Sequence, residues 1–148
     1  MNTKICTSIK QSKKLIKLGI DINSADMWYQ HIGYSITDGK EKPTYFLMVI
    51  RDNLSDDDIP AWSLSALMNL LPSEFTEVSK YSKTIYEIKI RKYNLIEDVN
   101  LHQIAYGNYK FYEDGNSYWK DMINTGEKEE LLDAAFEMVC WLKENNKI

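Results

Sequence analysis

The closing stretch of the chain reads Glu127-Lys-Glu-Glu-Leu-Leu-Asp-Ala-Ala-Phe-Glu-Met-Val-Cys-Trp-Leu-Lys-Glu-Asn-Asn-Lys-Ile148, and its pattern decides more about the fold than any other segment. With 100° between successive residues of an α-helix, the apolar side chains cover about 220° of the circumference. The part of the helix that remains to face water is a narrow polar stripe of Glu130, Asp133, Glu137 and Glu144. A helix that packs on one sheet needs roughly 100–140° of apolar surface. We therefore expect this helix to contact two neighbours, the second being another helix of the chain or a partner protein.

The composition is that of an ordinary globular protein. Of 148 residues, 44% are apolar and 27% are charged, and a chain of this length buries about two-thirds of the surface that it exposes when unfolded. We expect a single domain over residues 1–148 that needs no cofactor, metal or disulfide for its stability.

The charge is mildly acidic and unevenly distributed. The net charge is −4, which argues against duplex nucleic acid as the main partner. Residues 1–20 carry five lysines and no acid, whereas residues 127–148 carry six acids and three lysines. The lysines of the first segment fit a solvated helix face or, alternatively, a stripe that docks an acidic surface.

Cysteine usage and the N-terminus favour a cytoplasmic, soluble protein. Cys6 and Cys140 lie near opposite ends of the chain, so that a bridge between them requires the ends to meet. The first residues lack the apolar core of a signal peptide, and no apolar run is long enough to span a membrane. In a reducing compartment the Asn53-Leu54-Ser55 triplet is a chance match to a glycosylation site.

Two further helices are marked by their ends. Ser8 and Gln11 form a capping box, and Gly19 supplies the residue that ends this helix. The second helix begins after Ser63 and stops before Pro72, with Trp62 able to pack on Leu67. An alternative start at Pro60 stays open.

Four segments are predicted to form strands. They are a short strand at 31–37 that is closed by Asp38-Gly39, a six-residue apolar run at 45–50, an alternating strand at 84–91 and a β-meander at 101–119. The apolar run is typical of a central strand covered on both faces. In the meander, Gly107-Asn108 and Asp114-Gly115 serve as two-residue turns; the alternative is one long strand with a bulge at Gly107. The resulting fold class is α+β, with a mostly antiparallel sheet of about five strands and three helices packed on it.

Residues that could carry catalysis are sparse. The chain has two histidines, His31 and His102, and no glycine-rich phosphate loop, Cys-x-x-Cys pair or nucleophile elbow. A Cys140–His102 dyad stays open, with Cys140 placed near the wet edge of the last helix. The acidic loop 52–58 lacks the order of a calcium-binding loop and fits a solvated turn better than a metal site. We assign no catalytic residues.

The candidate site is instead a cluster of aromatic residues within the presumed meander, composed of Tyr106, Tyr109, Phe111, Tyr112, Tyr118 and Trp119. In strand alternation Tyr109 and Phe111 share one face and Tyr112 takes the other, so one core cannot bury them all. An exposed platform of Tyr and Trp suits protein recognition, base stacking or sugar binding. The competing interpretation is that these rings stabilise the sheet as cross-strand pairs. We take Tyr106, Tyr109, Tyr112, Tyr118 and Trp119 as candidate binding residues.

Four blocks of the chain carry a resemblance to a known group of proteins. The blocks are Thr7-Ser-Ile-Lys-Gln-Ser-Lys-Lys-Leu15, Ser24-Ala-Asp-Met27, Pro60-Ala-Trp-Ser-Leu-Ser-Ala-Leu-Met-Asn-Leu-Leu-Pro72 and Asp133-Ala-Ala-Phe-Glu-Met-Val-Cys-Trp-Leu142. In these blocks and their order the chain resembles a family of small uncharacterised proteins from prophages and conjugative elements of gut Bacteroidetes. The resemblance implies a cytoplasmic accessory protein of a mobile element and assigns no catalytic residues.

These observations favour a non-enzymatic binding or interaction protein, with a protein partner or a homodimer and no membrane. One alternative is a small hydrolase or transferase whose site is assembled from dispersed residues. Another alternative is a weak binder of single-stranded nucleic acid. The acids beside Lys110 and Lys120 argue against it, because they offset the positive charge that a phosphate backbone needs.

Overall fold

A computed structural model describes residues 3–49, 54–94 and 99–148. Within them the α-helices are α1 (Ile9–Lys17), α2 (Leu64–Leu70) and α3 (Leu131–Glu144). The strands are β1 (Met27–Thr37), β2 (Lys40–Met48), β3 (Ile59–Ala61), β4 (Glu74–Val78), β5 (Lys83–Asn94), β6 (Asn100–Phe111) and β7 (Ser117–Asn124). None of the helices in these ranges is long and apolar enough to cross a membrane.

The α+β class is confirmed, but the expected sheet of about five strands is wrong. The described residues form seven strands in two antiparallel sheets, with orders β2-β1-β3 and β4-β5-β6-β7. The strands that the sequence did not reveal are β3 and β4, which are three and five residues long and too short for a clear period of two. The chain divides into two compact units, Met1–Met68 and Asn69–Ile148. The single-domain organisation stays a prediction.

In the first unit, α1 begins and ends as predicted. Ser8 and Gln11 exchange the two hydrogen bonds of a capping box. At the other end Gly19 takes a positive φ of 83°, and the N–H of Ile20 donates to the carbonyl of Leu15 at 3.0 Å, which is the Schellman pattern. The lysines of this helix are exposed, as both a solvated face and a docking stripe require.

The β1–β2 hairpin is longer than predicted and turns where predicted. Asp38 and Gly39 both have positive φ, 52° and 72°, as a two-residue turn between right-twisted strands requires. The strand before the turn begins at Met27 instead of His31 and carries a bulge between His31 and Gly33.

The apolar run at 45–50 is not a buried central strand. Its described residues, 45–49, lie in or beside β2, which is an edge strand, and Ile50 lies outside the described residues. Phe46 is 62% exposed and Val49 is 69% exposed. The prediction failed because an apolar run of this length specifies a strand but not the strand's place in the sheet.

Pro43 has a defined position in this edge strand. The two-residue turn closes on a hydrogen-bonded pair, Thr37 with Lys40, and hydrogen-bonded and non-bonded pairs alternate from there. Pro43 pairs with Tyr34, which is a non-bonded pair by this count. Its nitrogen, which carries no hydrogen, therefore points to the open edge.

The core of the first unit joins the start of the chain to β1 and β3. Cys6, Met27 and Ala61 pack together with Tyr29 against them, and the Tyr29 hydroxyl donates to the carbonyl of Thr7 at 2.8 Å. Trp62 is fully buried, and its indole N–H donates to the Ser24 hydroxyl at 2.8 Å.

Ser63 caps α2, since its hydroxyl accepts from the N–H of Ala66 at 3.2 Å. The alternative start at Pro60 is wrong, because Ile59–Ala61 pairs with β1 as a strand. A strand conformation of these residues leaves Ser63 as the first residue able to cap the helix.

In the second unit, the alternating strand predicted over 84–91 is β5, which runs from Lys83 to Asn94 between β4 and β6. The predicted turn at Gly107-Asn108 is wrong, and the continuous strand of its alternative is confirmed. The register of β6 with β7 shifts between Tyr106 and Gly107, and the extra residue of this bulge is Met122 of β7, opposite Gly107. A Cβ atom at Gly107 would lie 2.2 Å from the backbone oxygen of Lys120, so the bulge brings the two backbones together where only glycine fits.

Helix α3 is shorter than predicted, but its wide apolar face is confirmed. Its buried residues are Leu132, Ala134, Ala135, Met138, Val139, Cys140 and Leu142, which cover about 240° of the helix at 100° per residue. The helix contacts β6, and Trp141 meets Phe75 of β4 at a ring distance of 6.3 Å. Cys140 is buried, not at a wet edge, because the buried arc is wider than the pattern of large apolar residues indicated.

Candidate binding surface

The register of β6 with β7 sorts the predicted aromatic cluster onto two faces of the hairpin. Tyr109 lies opposite Trp119, and Lys110 lies opposite Tyr118. Because successive side chains of a strand point to opposite faces, Tyr109, Phe111 and Trp119 share one face, which we call the Tyr109 face. Tyr118 lies on the other face together with Asn108 and Lys110. The cluster therefore forms two groups rather than one platform.

Each group contains a close pair of rings. The rings of Tyr109 and Trp119 meet edge to face with centroids 5.3 Å apart. Tyr112 follows the end of β6, and its ring lies 4.7 Å from that of Tyr118. Both separations lie within the range of favourable aromatic pairs, which add about 0.5–1.5 kcal/mol beyond area burial.

The loop at the end of the hairpin has three residues instead of the predicted two. The N–H of Tyr112 donates to the carbonyl of Asn116 at 2.7 Å, which leaves residues 113–115 as the loop. Gly115 has a φ of 88°, the left-handed conformation that a three-residue hairpin loop needs at its last position. The Asp114 carboxylate accepts from the Asn116 N–H at 2.9 Å. The aromatic pairs are thus held on a closed hairpin.

Tyr106 does not belong to the surface. It is fully buried, its ring lies 5.1 Å from that of Phe75, and its hydroxyl donates to the carbonyl of Pro72 at 2.6 Å. Burial raises the pKa of the Tyr106 phenol well above its ordinary value. This ring is part of the core of the second unit.

The other rings of the cluster differ in exposure. Tyr109 is 54% exposed, Phe111 75%, Tyr112 57% and Tyr118 40%, whereas Trp119 is half-buried. The structure therefore places four of the five candidate binding residues at least partly at the surface. Phe111, which belongs to the predicted cluster but not to the candidate binding residues, is the most exposed of these rings.

Trp119 is fixed by a network of polar side chains on the Tyr109 face. Its indole N–H donates to the Asp121 carboxylate at 2.6 Å. Arg91 donates to both oxygens of the same carboxylate, at 2.6 and 2.8 Å, and the Lys89 ammonium lies 4.8 Å from the centre of the Trp119 ring. The Arg91 guanidinium, with smaller help from the Trp119 N–H, lowers the pKa of Asp121 to about 2. The network keeps the indole in one orientation.

The β1–β2 hairpin carries further exposed apolar residues that sequence reasoning missed. Tyr34 and Ile36 are exposed on one face of the hairpin, and Phe46 is exposed on the other. His31 is half-buried and packs edge to face against Tyr34 and Tyr45, at 5.0 and 5.6 Å between ring centres. The alternation of Ile32, Tyr34 and Ile36 was a signal for a one-sided strand. The apolar run that follows concealed the exposure, because such runs are usually buried.

The candidate catalytic residues occupy different environments. His102 is half-buried on β6, and its backbone exchanges hydrogen bonds with Lys128 at 2.6 and 2.8 Å. Cys6 and Cys140 are buried free thiols, so the bridge considered between them is not formed. The Cys140–His102 pairing stays a prediction. In the part of the chain that the structure describes, no group of three or more His, Cys, Asp or Glu side chains is arranged to hold a metal ion.

The acidic loop is organised by one of its carboxylates. Asp58 accepts from the N–H groups of Ser55 and His31, each at 2.9 Å. These backbone hydrogen bonds lower the pKa of Asp58. This carboxylate therefore stabilises a turn. Asp52, the first residue of the loop, and Asn53, the first residue of the glycosylation triplet, lie outside the described residues.

No protein-family model, curated protein or solved structure matches this chain.

Proposed function

We propose that this protein is a non-enzymatic binding protein, and that it recognises a protein partner through the aromatic side chains of the β6–β7 hairpin. The observation that carries the proposal is the exposure of Tyr109 and Phe111 side by side on the Tyr109 face. Resemblance to proteins of prophages and conjugative elements suggests the setting, an accessory role in a cytoplasm that hosts a mobile element.

The chemistry of the Tyr109 face suits a polypeptide. Tyrosine and tryptophan offer a large apolar area with one polar atom, and they lose little conformational entropy on binding because they have two side-chain torsions. Tyr109 and Trp119 already brace each other, and Trp119 is held by Asp121. Rings fixed before binding cost less to immobilise in a complex.

The exposed side chains of the second hairpin support the same class of function. Large apolar residues scattered singly over a surface need no explanation, whereas contiguous ones mark interaction sites. Tyr34 and Ile36 lie two residues apart on β1 and are exposed on the same face of one hairpin.

The test compares a variant of the Tyr109 face with a matched control. Tyr109→Ala combined with Phe111→Ala removes two exposed rings, and Tyr81→Ala removes a tyrosine that is 88% exposed in the turn between β4 and β5. Tagged wild-type protein is used to capture partners from cells that carry the mobile element encoding it. The captured protein is identified by mass spectrometry, purified and titrated by calorimetry.

We expect the double variant to bind the purified partner at least about 30-fold more weakly, since hot-spot rings each contribute about 2 kcal/mol or more. The Tyr81→Ala control should bind as the wild type does. Equal affinity of the double variant and the wild type would contradict the proposal. So would salt-sensitive binding of single-stranded oligonucleotides that is lost in the double variant, because it would assign these rings to base stacking.

A further inference from the structure

A cavity of about 300 Å³ opens on the face of the hairpin opposite to the Tyr109 face. Its lining residues come from three neighbouring strands and are Tyr86, Asn108, Lys110, Lys120, Asp121 and Met122. Asn108 lies opposite Lys120 in the register of β6 with β7. Continuing the register of β5 with β6 by one step from the Glu87–Gly107 pair brings Tyr86 opposite Asn108. The side chains of Tyr86, Asn108 and Lys120 thus form one row across the sheet.

Two lysines meet at this cavity. Lys110 and Lys120 are diagonal neighbours on the same face of adjacent strands, a relation that places Cα atoms about 7–8 Å apart. Among the described residues neither lysine forms an ion pair. Like charges on neighbouring strands repel each other, and an anion between them removes that repulsion.

The one acidic residue of the lining does not neutralise the lysines. Both carboxylate oxygens of Asp121 accept hydrogen bonds from Arg91, and one of them also accepts from the Trp119 indole. The Tyr109 face contains Arg91, Trp119 and Asp121. The Asp121 carboxylate is therefore hydrogen-bonded on the side of the sheet opposite to the two lysines. The cavity is therefore positively charged in a chain whose net charge is −4.

We propose that this cavity binds a small organic anion, with its phosphate or carboxylate group between Lys110 and Lys120. Lysine ammonium groups bind both anions as point charges, and the Asn108 amide adds a neutral donor. The ring of Tyr86 and the side chain of Met122 provide an apolar wall for the remainder of the ligand. A cavity of this volume lies at the lower end of the range for small-molecule sites. The proposal is independent of the proposed function.

Three probes test the proposal with the full chain: phenyl phosphate, benzoate and inorganic phosphate. Each is titrated into ¹⁵N-labelled protein, and amide shifts are followed by NMR. We expect saturable binding of phenyl phosphate, with the largest shifts near Asn108 and Met122, and weaker binding of inorganic phosphate, which lacks the ring. Benzoate binding as tight as that of phenyl phosphate would identify a general anion site, and weaker benzoate binding a phosphate site.

Two double variants distinguish specific binding in the cavity from general attraction of anions to the positive charges of the protein. Lys110→Gln combined with Lys120→Gln removes both charges of the cavity, and Lys83→Gln combined with Lys92→Gln removes two exposed charges of β5 outside it. The cavity variant should bind phenyl phosphate at least about tenfold more weakly, and the control should bind as the wild type does. Equal losses in both variants, or no saturable binding of any probe up to about 10 mM, would overturn the proposal.

The same titration distinguishes this site from the proposed protein surface. Tyr109 and Phe111 lie on the opposite face of β6, so the Tyr109→Ala, Phe111→Ala variant should bind phenyl phosphate with unchanged affinity. A loss of anion binding in that variant would contradict the placement of the anion on the lysine side of the sheet.

Discussion

Tyr106 carries a buried hydroxyl whose hydrogen bond to the carbonyl oxygen of Pro72 is 2.6 Å long. The sequence predicted that the aromatic residues of this strand would not all be buried together, and the alternation of the strand gave the correct faces. It could not tell which end of the strand is covered, because that depends on where α3 lies. The same ring that looked like a candidate contact at the surface is therefore a structural residue.

Tyr106→Phe tests this role. The substitution removes one hydrogen bond and leaves the Pro72 carbonyl without that donor, so we expect a loss of about 1–2 kcal/mol in the free energy of unfolding. Urea denaturation of wild type and variant measures the difference. Tyr81→Phe, at an exposed hydroxyl, should change the stability by less than about 0.5 kcal/mol; equal effects of the two substitutions would assign no structural role to the buried hydroxyl.

Asp121 makes stability depend on pH in the acidic range. Its pKa in the folded chain is about 2, below the ordinary value of 3.8, chiefly because Arg91 donates to it. A lowered pKa means that the folded state binds the proton less tightly than the unfolded state does. The contribution is therefore present above about pH 4 and is lost as the pH falls from 4 towards 2, and we expect it to be about 1–2 kcal/mol.

Urea denaturation at several pH values between 6 and 2 measures this loss in wild type and in Asp121→Asn. The variant lacks the titrating group, so its stability should fall by about 1–2 kcal/mol less over this range than that of the wild type. Parallel pH profiles for the two proteins would show that the Arg91–Asp121 pair contributes nothing to stability.

At the scale of elements, the helix ends and hairpin turns were the most predictable features. Ser8, Ser63 and Asp38-Gly39 act through local hydrogen bonds and backbone angles, which depend on a few neighbouring residues. Strand order was not predictable in the same way. The apolar run at 45–49 lies in or beside an edge strand instead of a central one, because long-range pairing leaves no local signature.

The bulge of β7 opposite Gly107 supplies a prediction at this scale. Gly107→Ala would place a Cβ atom 2.2 Å from the backbone oxygen of Lys120, and backbone on both strands would have to move. We expect a loss of at least about 3 kcal/mol, larger than the usual cost of a substitution. Thermal unfolding followed by circular dichroism measures it.

Gly39→Ala is the control, because no atom lies within 4 Å of its added Cβ. Its φ of 72° still makes alanine unfavourable, by about 1 kcal/mol. If Gly107→Ala proved no more costly than Gly39→Ala, the close approach of the two strands at the bulge would be refuted.

For the whole molecule, the mixture of helix and strand patterns correctly indicated the α+β class, whereas the division of the strands into two sheets is visible only in the structure. The candidate site was predicted in part: the aromatic cluster is visible in the sequence, but its division between two faces depends on the register of β6 with β7. The cavity beside Lys110 and Lys120 had no sequence signal beyond two lysines among acids, because Arg91, which engages the nearest acid, is distant in the chain.

Net charge and exposed apolar side chains together predict how the protein behaves in solution. The isoelectric point is about 5.2, so repulsion between molecules is weakest near that pH. We expect light scattering to report more association near pH 5 than at pH 7.5. Phe46→Lys, which replaces an exposed ring with a charge, should reduce this association; an unchanged pH profile in that variant would place the contact elsewhere.

Pro43 gives such association a particular form. Fibrils grow when an unpaired strand templates the next one through its free backbone donors. Around Pro43 the donor that would face an incoming strand is missing, and Lys40, Glu41 and Lys42 place charges beside the gap. Precipitate formed near the isoelectric point should thus be amorphous, should leave thioflavin fluorescence unchanged, and should redissolve when the pH is raised. The hairpin can therefore expose apolar side chains without nucleating amyloid.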